Sequence, residues 1–262
     1  MNIRRTIAVI VLAAAIGIVA FSGIKLRKIN QVYMTANDAY EKLSRSLKTN
    51  HTLYGDTNKP NNSKKALHYK KSQNDIPDIN IDFEALKKIN DDSTAWLYCP
   101  DTVIDYPVMR ADDYDYYLHH LPDGTQNANG TLFIDYNCAS DFSDTLSIIY
   151  GHNMRSKSMF GSLGGYKKQD YFDKHPYMYL YTQHGNYRIE LIYGCVIGSG
   201  QWREQAFMYK ENIDSLINYA AYNTTFTSSA VYDKGDRIVA MSTCSYEFDD
   251  ARYVVIGILR EE

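Results

Sequence analysis

Three residues in the chain have side chains that could together carry out acyl transfer: a cysteine, an arginine and a histidine. Cys244 directly follows the apolar run Ile238–Thr243, which is typical of a β-strand, and Arg252 opens a second such run. Antiparallel strands joined by the short loop between these runs would bring the thiol and the guanidinium side by side. His152 follows another apolar run, in the kind of loop that carries chemistry on a rigid scaffold.

These residue types match the three roles that cysteine acyl transfer needs: a nucleophile, an acid/base and a stabiliser of the oxyanion. A nearby imidazolium or guanidinium would also lower the pKa of the thiol. Gly151, before His152, permits a tight turn that would aim the imidazole over the rim of a barrel. Taken singly, each residue has an ordinary explanation as a buried thiol, a loop histidine or a surface charge. Their combination favours catalysis.

The composition narrows the class of protein. The chain has 262 residues, a net charge of −3 and a pI near 6.2, so nothing in its charge favours nucleic-acid binding. Its 24 tyrosines and 9 phenylalanines are enough for a large core, which indicates a globular protein. The four cysteines do not have the spacing of a metal site, and the adjacent side chains of His119 and His120 seldom converge on one ion, so we expect no metal and no cofactor.

Four cysteines are present, and their even number would permit two disulfides in an exported protein. Cys99, Cys138 and Cys195, however, each lie within or at the end of an apolar, strand-like segment. We therefore interpret these three as buried free thiols that act as small hydrophobic side chains.

The N-terminal segment has the length of a membrane span. The run Ile7–Ile24 is apolar or small throughout, with Arg4 and Arg5 before it and Lys25 and Lys28 after it. A cleaved signal peptide and an uncleaved anchor both fit this pattern. Because no small-x-small cleavage site follows the run, we favour an anchor, with a cytoplasmic N-terminus and the bulk of the chain outside.

The sequence is predicted to comprise three regions. Residues 1–25 form the cytoplasmic tip and the transmembrane anchor. Residues 26–75 comprise a polar helix, interpreted as a juxtamembrane stalk, and a linker rich in Asn, Lys and Ser. Residues 76–262 form the catalytic domain.

The catalytic region is predicted to be mainly β with inserted helices. Helical patterns cover Asp82–Ile89 and Glu211–Tyr222, and the absence of βαβ alternation argues against a doubly wound sheet. Eight short strands favour a small barrel that is closed or nearly closed. They are Thr94–Tyr98, Thr102–Met109, Gly130–Tyr136, Leu146–Tyr150, Tyr177–Thr182, Tyr187–Ile197, Arg237–Ser242 and Tyr253–Leu259.

Here the motifs resemble those of the sortases, the membrane-anchored cysteine transpeptidases of Gram-positive bacteria, and most of all class B. Ala240–Cys244 matches the signature Thr-Leu-x-Thr-Cys, with Ala and Met replacing its first two residues, and Arg252 matches the downstream arginine. Gly151-His152-Asn153 matches the histidine motif, and Asn129–Asp135 resembles the class B strand before it. The likeness runs from about Ile76 to Leu259.

The resemblance implies a sortase barrel of eight strands, an N-terminal helix and a helical insertion before the penultimate strand. It assigns Cys244 as the nucleophile, His152 as the general acid/base and Arg252 as the stabiliser of the oxyanion. The amide of Ser245 becomes a candidate oxyanion donor, in a position where class B enzymes often carry an acidic residue. Ser242 and Thr243 become candidates for the substrate groove.

The implied reaction has two steps. The thiolate attacks the carbonyl of a Thr in a C-terminal sorting signal of a secreted surface protein, giving a thioester, and an amine of the peptidoglycan precursor or cross-bridge then takes the acyl group. Class B members act on motifs such as Asn-Pro-x-Thr-Asn or Ser/Pro-Pro-x-Thr-Gly. Two alternatives stay open: a cysteine endopeptidase that releases its product to water, and a catalytically silent wall-associated binding module.

Overall fold

A closed barrel of eight strands forms the centre of the computed structural model, which describes residues 3–50, 77–204 and 213–261. All eight predicted strands are present. The predicted strands 146–150 and 177–182 have the predicted ends, and the other six have shifted ends; of the predicted strand 130–136, for example, only residues 132–134 pair. The barrel strands are β3 (Ser93–Tyr98), β4 (Asp105–Arg110), β5 (Leu132–Ile134), β6 (Leu146–Tyr150), β7 (Tyr177–Thr182), β8 (Asn186–Gly198), β9 (Ile238–Cys244) and β10 (Ala251–Glu261). A separate sheet pairs β1 (Lys48–Asn50) with β2 (Ile79–Ile81).

The order of the strands determines which loops meet. Around the barrel it is β10-β8-β7-β3-β4-β5-β6-β9, and β9 pairs with β10 to close the ring. Most neighbours are antiparallel, but β4–β5 and β6–β9 are parallel. Because β6 and β9 run in the same direction, their carboxyl ends lie at the same edge of the barrel.

Helices lie between the strands, as predicted. Helix α2 (Phe83–Ile89) is capped by Asp82, whose carboxylate accepts a hydrogen bond from the backbone N–H of Ala85 at 2.9 Å. The short helix α3 (Gln169–Lys174) precedes β7. The insertion before the penultimate strand comprises α4 (Ser199–Arg203) and α5 (Asp214–Asn223). Most of the predicted helix 211–222 corresponds to α5, whereas residues 211 and 212 lie outside the described residues.

One helix, α1, runs without a break through its 45 residues from Ile3 to Leu47, or about 68 Å. Within the described residues it is the single helix long and apolar enough to cross a membrane, a property that a signal sequence shares. The helix has no break at the predicted boundary between residues 25 and 26. The predicted linker lies outside the described residues from residue 51 onward.

The second half of α1 packs against the barrel and is therefore more than a stalk. Ala36 and Tyr40 are buried in the same core cluster as the barrel interior. Just beyond the helix, Lys48 forms an ion pair with Asp105 of β4. The helix and the barrel thus share one apolar core.

Candidate active site

At the barrel edge where β6 and β9 end, a cavity of ≈ 150 Å³ contains all three candidate residues, Cys244, His152 and Arg252. All three side chains are half-buried. A larger cavity of ≈ 510 Å³ elsewhere is lined mainly by charged and polar residues, among them Lys87 and Arg110, and contains none of the three. The structure therefore brings together residues that are up to 100 positions apart in the chain.

Strand pairing accounts for the proximity of Cys244 and Arg252. The two residues are direct partners in the antiparallel pair of β9 and β10. Side chains of directly opposed residues point to the same face of a sheet, with Cβ atoms about 4.5–5.5 Å apart. The guanidinium of Arg252 donates to the carbonyl oxygens of Ala251 at 3.1 Å and Asp250 at 3.5 Å, which holds it near the start of β10.

The parallel pair of β6 and β9 accounts for the position of His152. Tyr150 is in register with Ser242. His152 and Cys244 each stand two residues further along the chain from this pair, so the imidazole and the thiol emerge at the same level of the same edge. This arrangement needs the parallel pairing, because an antiparallel neighbour would place its loop at the opposite end.

Three hydrogen bonds join the ends of these two strands. The N–H of Gly151 donates to Ser242 O at 3.3 Å, and Thr243 Oγ1 donates to Gly151 O at 2.7 Å. Asn153 Nδ2 donates to Cys244 O at 2.8 Å. Thr243, a candidate for the substrate groove, therefore uses its hydroxyl to hold the histidine loop.

Position 151 requires glycine because there is no space for a Cβ atom. Its backbone angles do not require glycine, since its φ is not in the positive range. A Cβ at this position would lie 2.4 Å from Leu132 Cδ2 and 2.8 Å from Phe160 Cδ2, two fully buried side chains. We expect Gly151→Ala to lower the free energy of unfolding by about 1–3 kcal/mol through overpacking, measured by urea denaturation.

The matched control for that prediction is Gly164→Ala, since a Cβ there would meet nothing within 4 Å. We expect the control to change the free energy of unfolding by no more than about 0.5 kcal/mol. Equal stability of the two variants would contradict the close packing of Gly151.

His152 is held by a backbone carbonyl and not by a carboxylate. Its Nε2 lies 2.8 Å from Leu118 O, and its ring centroid is 6.3 Å from that of His119. Burial lowers the pKa of His152 below its ordinary value of 6.5, and the neighbouring His119 acts in the same direction, whereas the hydrogen bond to Leu118 O opposes the shift. The imidazole is therefore biased toward its neutral form.

The other three cysteines are free and buried, as predicted. Burial raises the pKa of Cys99 to about 11 and that of Cys195 to about 12. Cys138 is 2 % exposed. Cys244, which is half-buried at the pocket, is the accessible thiol among the described residues.

Ser245 is held in place by groups that the sequence did not predict. Its N–H donates to Ala251 O at 2.8 Å, so the amide can serve an oxyanion only if this hydrogen bond opens. Lys167 Nζ donates to Ser245 Oγ at 2.9 Å and pairs with Glu247, to which the hydroxyl also donates. Burial would raise the pKa of Glu247, but the hydrogen bonds from Lys167 and Ser245 outweigh it and hold that pKa at about 2.

Two buried donors in the pocket have no hydrogen-bond partner among the described residues: Ser242 Oγ and Trp202 Nε1. Ser242 was a predicted groove residue, whereas Trp202 was not predicted. The only feature of the sequence that could have indicated Trp202 is its position in the insertion before β9. Leu118 was not predicted either, because a backbone acceptor leaves no trace in side-chain type.

Known proteins resemble this chain in both sequence and fold. Sortase B of Listeria monocytogenes is 32 % identical over 186 residues, which cover 70 % of this chain and 75 % of that protein. The chain belongs to the sortase family. No family model matches this chain.

Solved structures agree with this assignment. Sortase B of Clostridium perfringens superposes with a TM-score of 0.63 at 27 % identity, covering 68 % of this chain and all of that one. A class B sortase of Streptococcus pyogenes, described as involved in pilus biogenesis, gives 0.61 at 26 %, covering 68 % and 98 %. The chain is thus a sortase most like class B, and a cysteine transpeptidase in general activity.

Proposed function

We propose that this sortase cleaves a C-terminal sorting signal after Thr and transfers the protein to an amine of the cell wall through a thioester on Cys244. The proposal rests above all on the strand registers, in which Arg252 pairs directly with Cys244 and His152 emerges level with it. Class B relatives supply the reaction type, and the pocket supplies the residue chemistry.

The first step forms the thioester. The thiol of Cys244 gives its proton to His152 as its sulfur adds to the threonyl carbonyl, and the negative charge that develops on the carbonyl oxygen is stabilised by the guanidinium of Arg252. The C–N bond then breaks, and the departing amine leaves with a proton from His152. Because the Ser245 N–H is engaged by Ala251 O, Arg252 is the main oxyanion donor in this account.

The second step reverses the chemistry with a different amine. The incoming amine attacks the thioester carbonyl and gives its proton to His152, and the sulfur of Cys244 leaves as the new amide forms. His152 passes this proton on to the departing sulfur, so the thiol and the neutral imidazole are both restored. Water attacking instead would give hydrolysis, the outcome that defines an endopeptidase.

A bound peptide would satisfy the unpaired donors of the pocket. Ser242 Oγ and Trp202 Nε1 are buried and lack partners among the described residues. A buried donor without an acceptor costs about 1–3 kcal/mol, so carbonyl oxygens of an extended peptide would bind favourably there once a shift of the pocket lining exposes these two buried atoms. This supports a peptide substrate in the groove beside Cys244.

We further propose that residues 1–25 anchor the enzyme, with the N-terminus in the cytoplasm and residues 76–262 outside the cell. The apolar first half of α1, exposed at the described positions from Ile10 to Ile24, supports the anchor. An anchored enzyme would meet secreted surface proteins and wall precursors at the same membrane. Attachment of single proteins is favoured over pilus assembly.

The test is product analysis with a peptide library that contains Asn-Pro-x-Thr-Asn and Ser/Pro-Pro-x-Thr-Gly sequences. We expect cleavage after Thr and, with millimolar short peptides bearing free amino groups, diversion of the acyl group into new amides identified by mass spectrometry. Hydrolysis that no added amine diverts would contradict transpeptidation and favour the endopeptidase. No cleavage of any peptide would favour the silent binding module.

A further inference from the structure

We propose that α1 supports the catalytic apparatus through Tyr40, which holds the chain segment whose Leu118 carbonyl orients the imidazole of His152. Tyr40 would then be a positioning residue that acts through backbone contacts. The inference rests on the proposed function of His152 and adds to it the reason why one ring nitrogen, and not the other, handles the proton.

The contact between His152 and Leu118 selects a tautomer. Nε2 of His152 lies 2.8 Å from Leu118 O. A carbonyl oxygen can only accept, so Nε2 must carry the hydrogen. In the neutral ring Nδ1 is then unprotonated and free to take a proton from the thiol or the incoming amine. Loss of the Leu118 acceptor would allow the other tautomer, which cannot accept a proton at Nδ1.

Leu118 lies at the end of the 3-10 turn Tyr116–Leu118, and the chain from residue 127 to residue 131 holds this turn in place. Thr131 N–H donates to Tyr117 O at 2.7 Å, and Asn127 N–H donates to His119 O at 2.8 Å. Thr131 Oγ1 donates to His120 O at 2.8 Å. The carbonyl oxygens of Tyr117, His119 and His120 thus accept hydrogen bonds from residues 127–131. The carbonyl oxygen of Leu118 instead accepts from the imidazole of His152.

Tyr40 of α1 is the anchor for residues 127–131. Its hydroxyl donates to Gly130 O at 2.6 Å and lies 2.9 Å from Thr131 Oγ1. The side chain is only 5 % exposed. A second contact comes from the same helix, since Asn127 Nδ2 donates to Val32 O at 3.2 Å.

Gly130 links α1 to Leu118, because its backbone contacts the carbonyl group of Leu118. Its φ is +58°, and a Cβ on it would lie 2.6 Å from Leu118 O and 2.4 Å from Tyr117 O. The backbone of Gly130 therefore rests against the same carbonyl that accepts from His152. A shift of Gly130 after loss of the Tyr40 hydrogen bond would move that carbonyl.

The variant Tyr40→Phe isolates this hydrogen bond. The ring of Tyr40 packs edge-on against Tyr106 at 5.0 Å, and phenylalanine keeps that contact. The matched control is Tyr33→Phe on the same helix, because Tyr33 is half-buried and its hydroxyl forms no hydrogen bond within the described residues. Each variant loses a single hydroxyl group.

The experiment uses the full chain in detergent micelles with ¹⁵N-labelled histidine. The ring-nitrogen shifts of His152, identified as those missing from His152→Ala, report its tautomer without substrate. We expect one tautomer, with hydrogen on Nε2, in the wild type and in Tyr33→Phe. Tyr40→Phe should populate both tautomers and lower kcat by about three- to tenfold, with KM within about twofold.

A Tyr40→Phe enzyme that keeps the single tautomer would overturn the proposal, whatever its kcat, because a loss without a ring-nitrogen shift is merely structural. If Tyr40→Phe does not fold, Thr131→Val, which removes the neighbouring hydroxyl, takes its place. Two tautomers of His152 in that variant would support the proposal, and a single tautomer would overturn it. Failure of the proposed function is distinguishable: it would appear as cleavage that survives Cys244→Ala, whereas the tautomer measurement needs no reaction.

Discussion

Cys244→Ala should abolish peptide cleavage and transfer, with a fall of at least about 10⁴-fold in kcat. Alanine cannot form the thioester, and no other described thiol can replace it at the pocket. Cys99 and Cys195 are 0 % and 1 % exposed, and burial raises their pKa values to about 11 and about 12, so neither supplies thiolate at neutral pH. Cleavage of a sorting peptide, followed by chromatography under saturating substrate, measures the effect.

The matched control for Cys244→Ala is Cys195→Ala, which removes a thiol of the same barrel from the core of β8. It should retain the wild-type kcat after allowance for any loss of folded protein, which circular dichroism reports. Cleavage that persists in Cys244→Ala, or that disappears equally in Cys195→Ala, would refute the assignment of the nucleophile.

Arg252→Ala should lower kcat/KM by about 10²–10³-fold, the usual effect of removing one oxyanion donor. Arg252 is the direct strand partner of Cys244, and none of the ion pairs within the described parts of the chain involves its guanidinium. Its observed partners are two neutral carbonyl oxygens, so the positive charge is available to the oxygen of the attacked carbonyl. Steady-state kinetics with the sorting peptide measure the loss.

Arg252→Lys is the informative companion to Arg252→Ala. Lysine keeps the charge but lacks the planar guanidinium with its two parallel donors, so we expect an activity between those of the wild type and Arg252→Ala. A near-normal turnover of Arg252→Ala would rule out the assigned role. A Lys variant no better than the Ala variant would assign the effect to geometry rather than to charge.

Much of the fold could be predicted because each barrel strand is a local signal. Strand β9, for example, appears as an apolar run that ends in polar residues beside Cys244. The partner of each strand is not local. The parallel register of β6 with β9, which sets His152 level with Cys244, follows from the closed ring and has no signal in either strand.

At the site, the functional side chains could be predicted from the sequence, whereas the groups that surround and position them could not. Cys244, His152 and Arg252 were found from residue type and motif, and the structure lines one pocket with them. The acceptor of His152 is a main-chain oxygen, and the need for Gly151 arises from Leu132 and Phe160 in other segments. Such constraints depend on packing between distant parts of the chain, which a single sequence does not encode in any local pattern.

The packing of α1 is a third example. Its polar half has the helical spacing expected of a stalk, and the sequence does not indicate what lies beside it. Burial of Ala36 and Tyr40 appears only once the barrel is folded. This contact makes α1 a candidate support for His152 rather than a spacer alone.

The most direct test of the central claim is to trap the acyl-enzyme. Wild-type enzyme mixed with a sorting peptide and quenched in acid within milliseconds to seconds should gain the mass of the peptide up to its Thr. Proteolysis and mass spectrometry should locate that mass on the peptide containing Cys244, and added amine should remove it with formation of the new amide. Cleavage that proceeds without an adduct, or with the adduct on another residue, would contradict a thioester mechanism at Cys244.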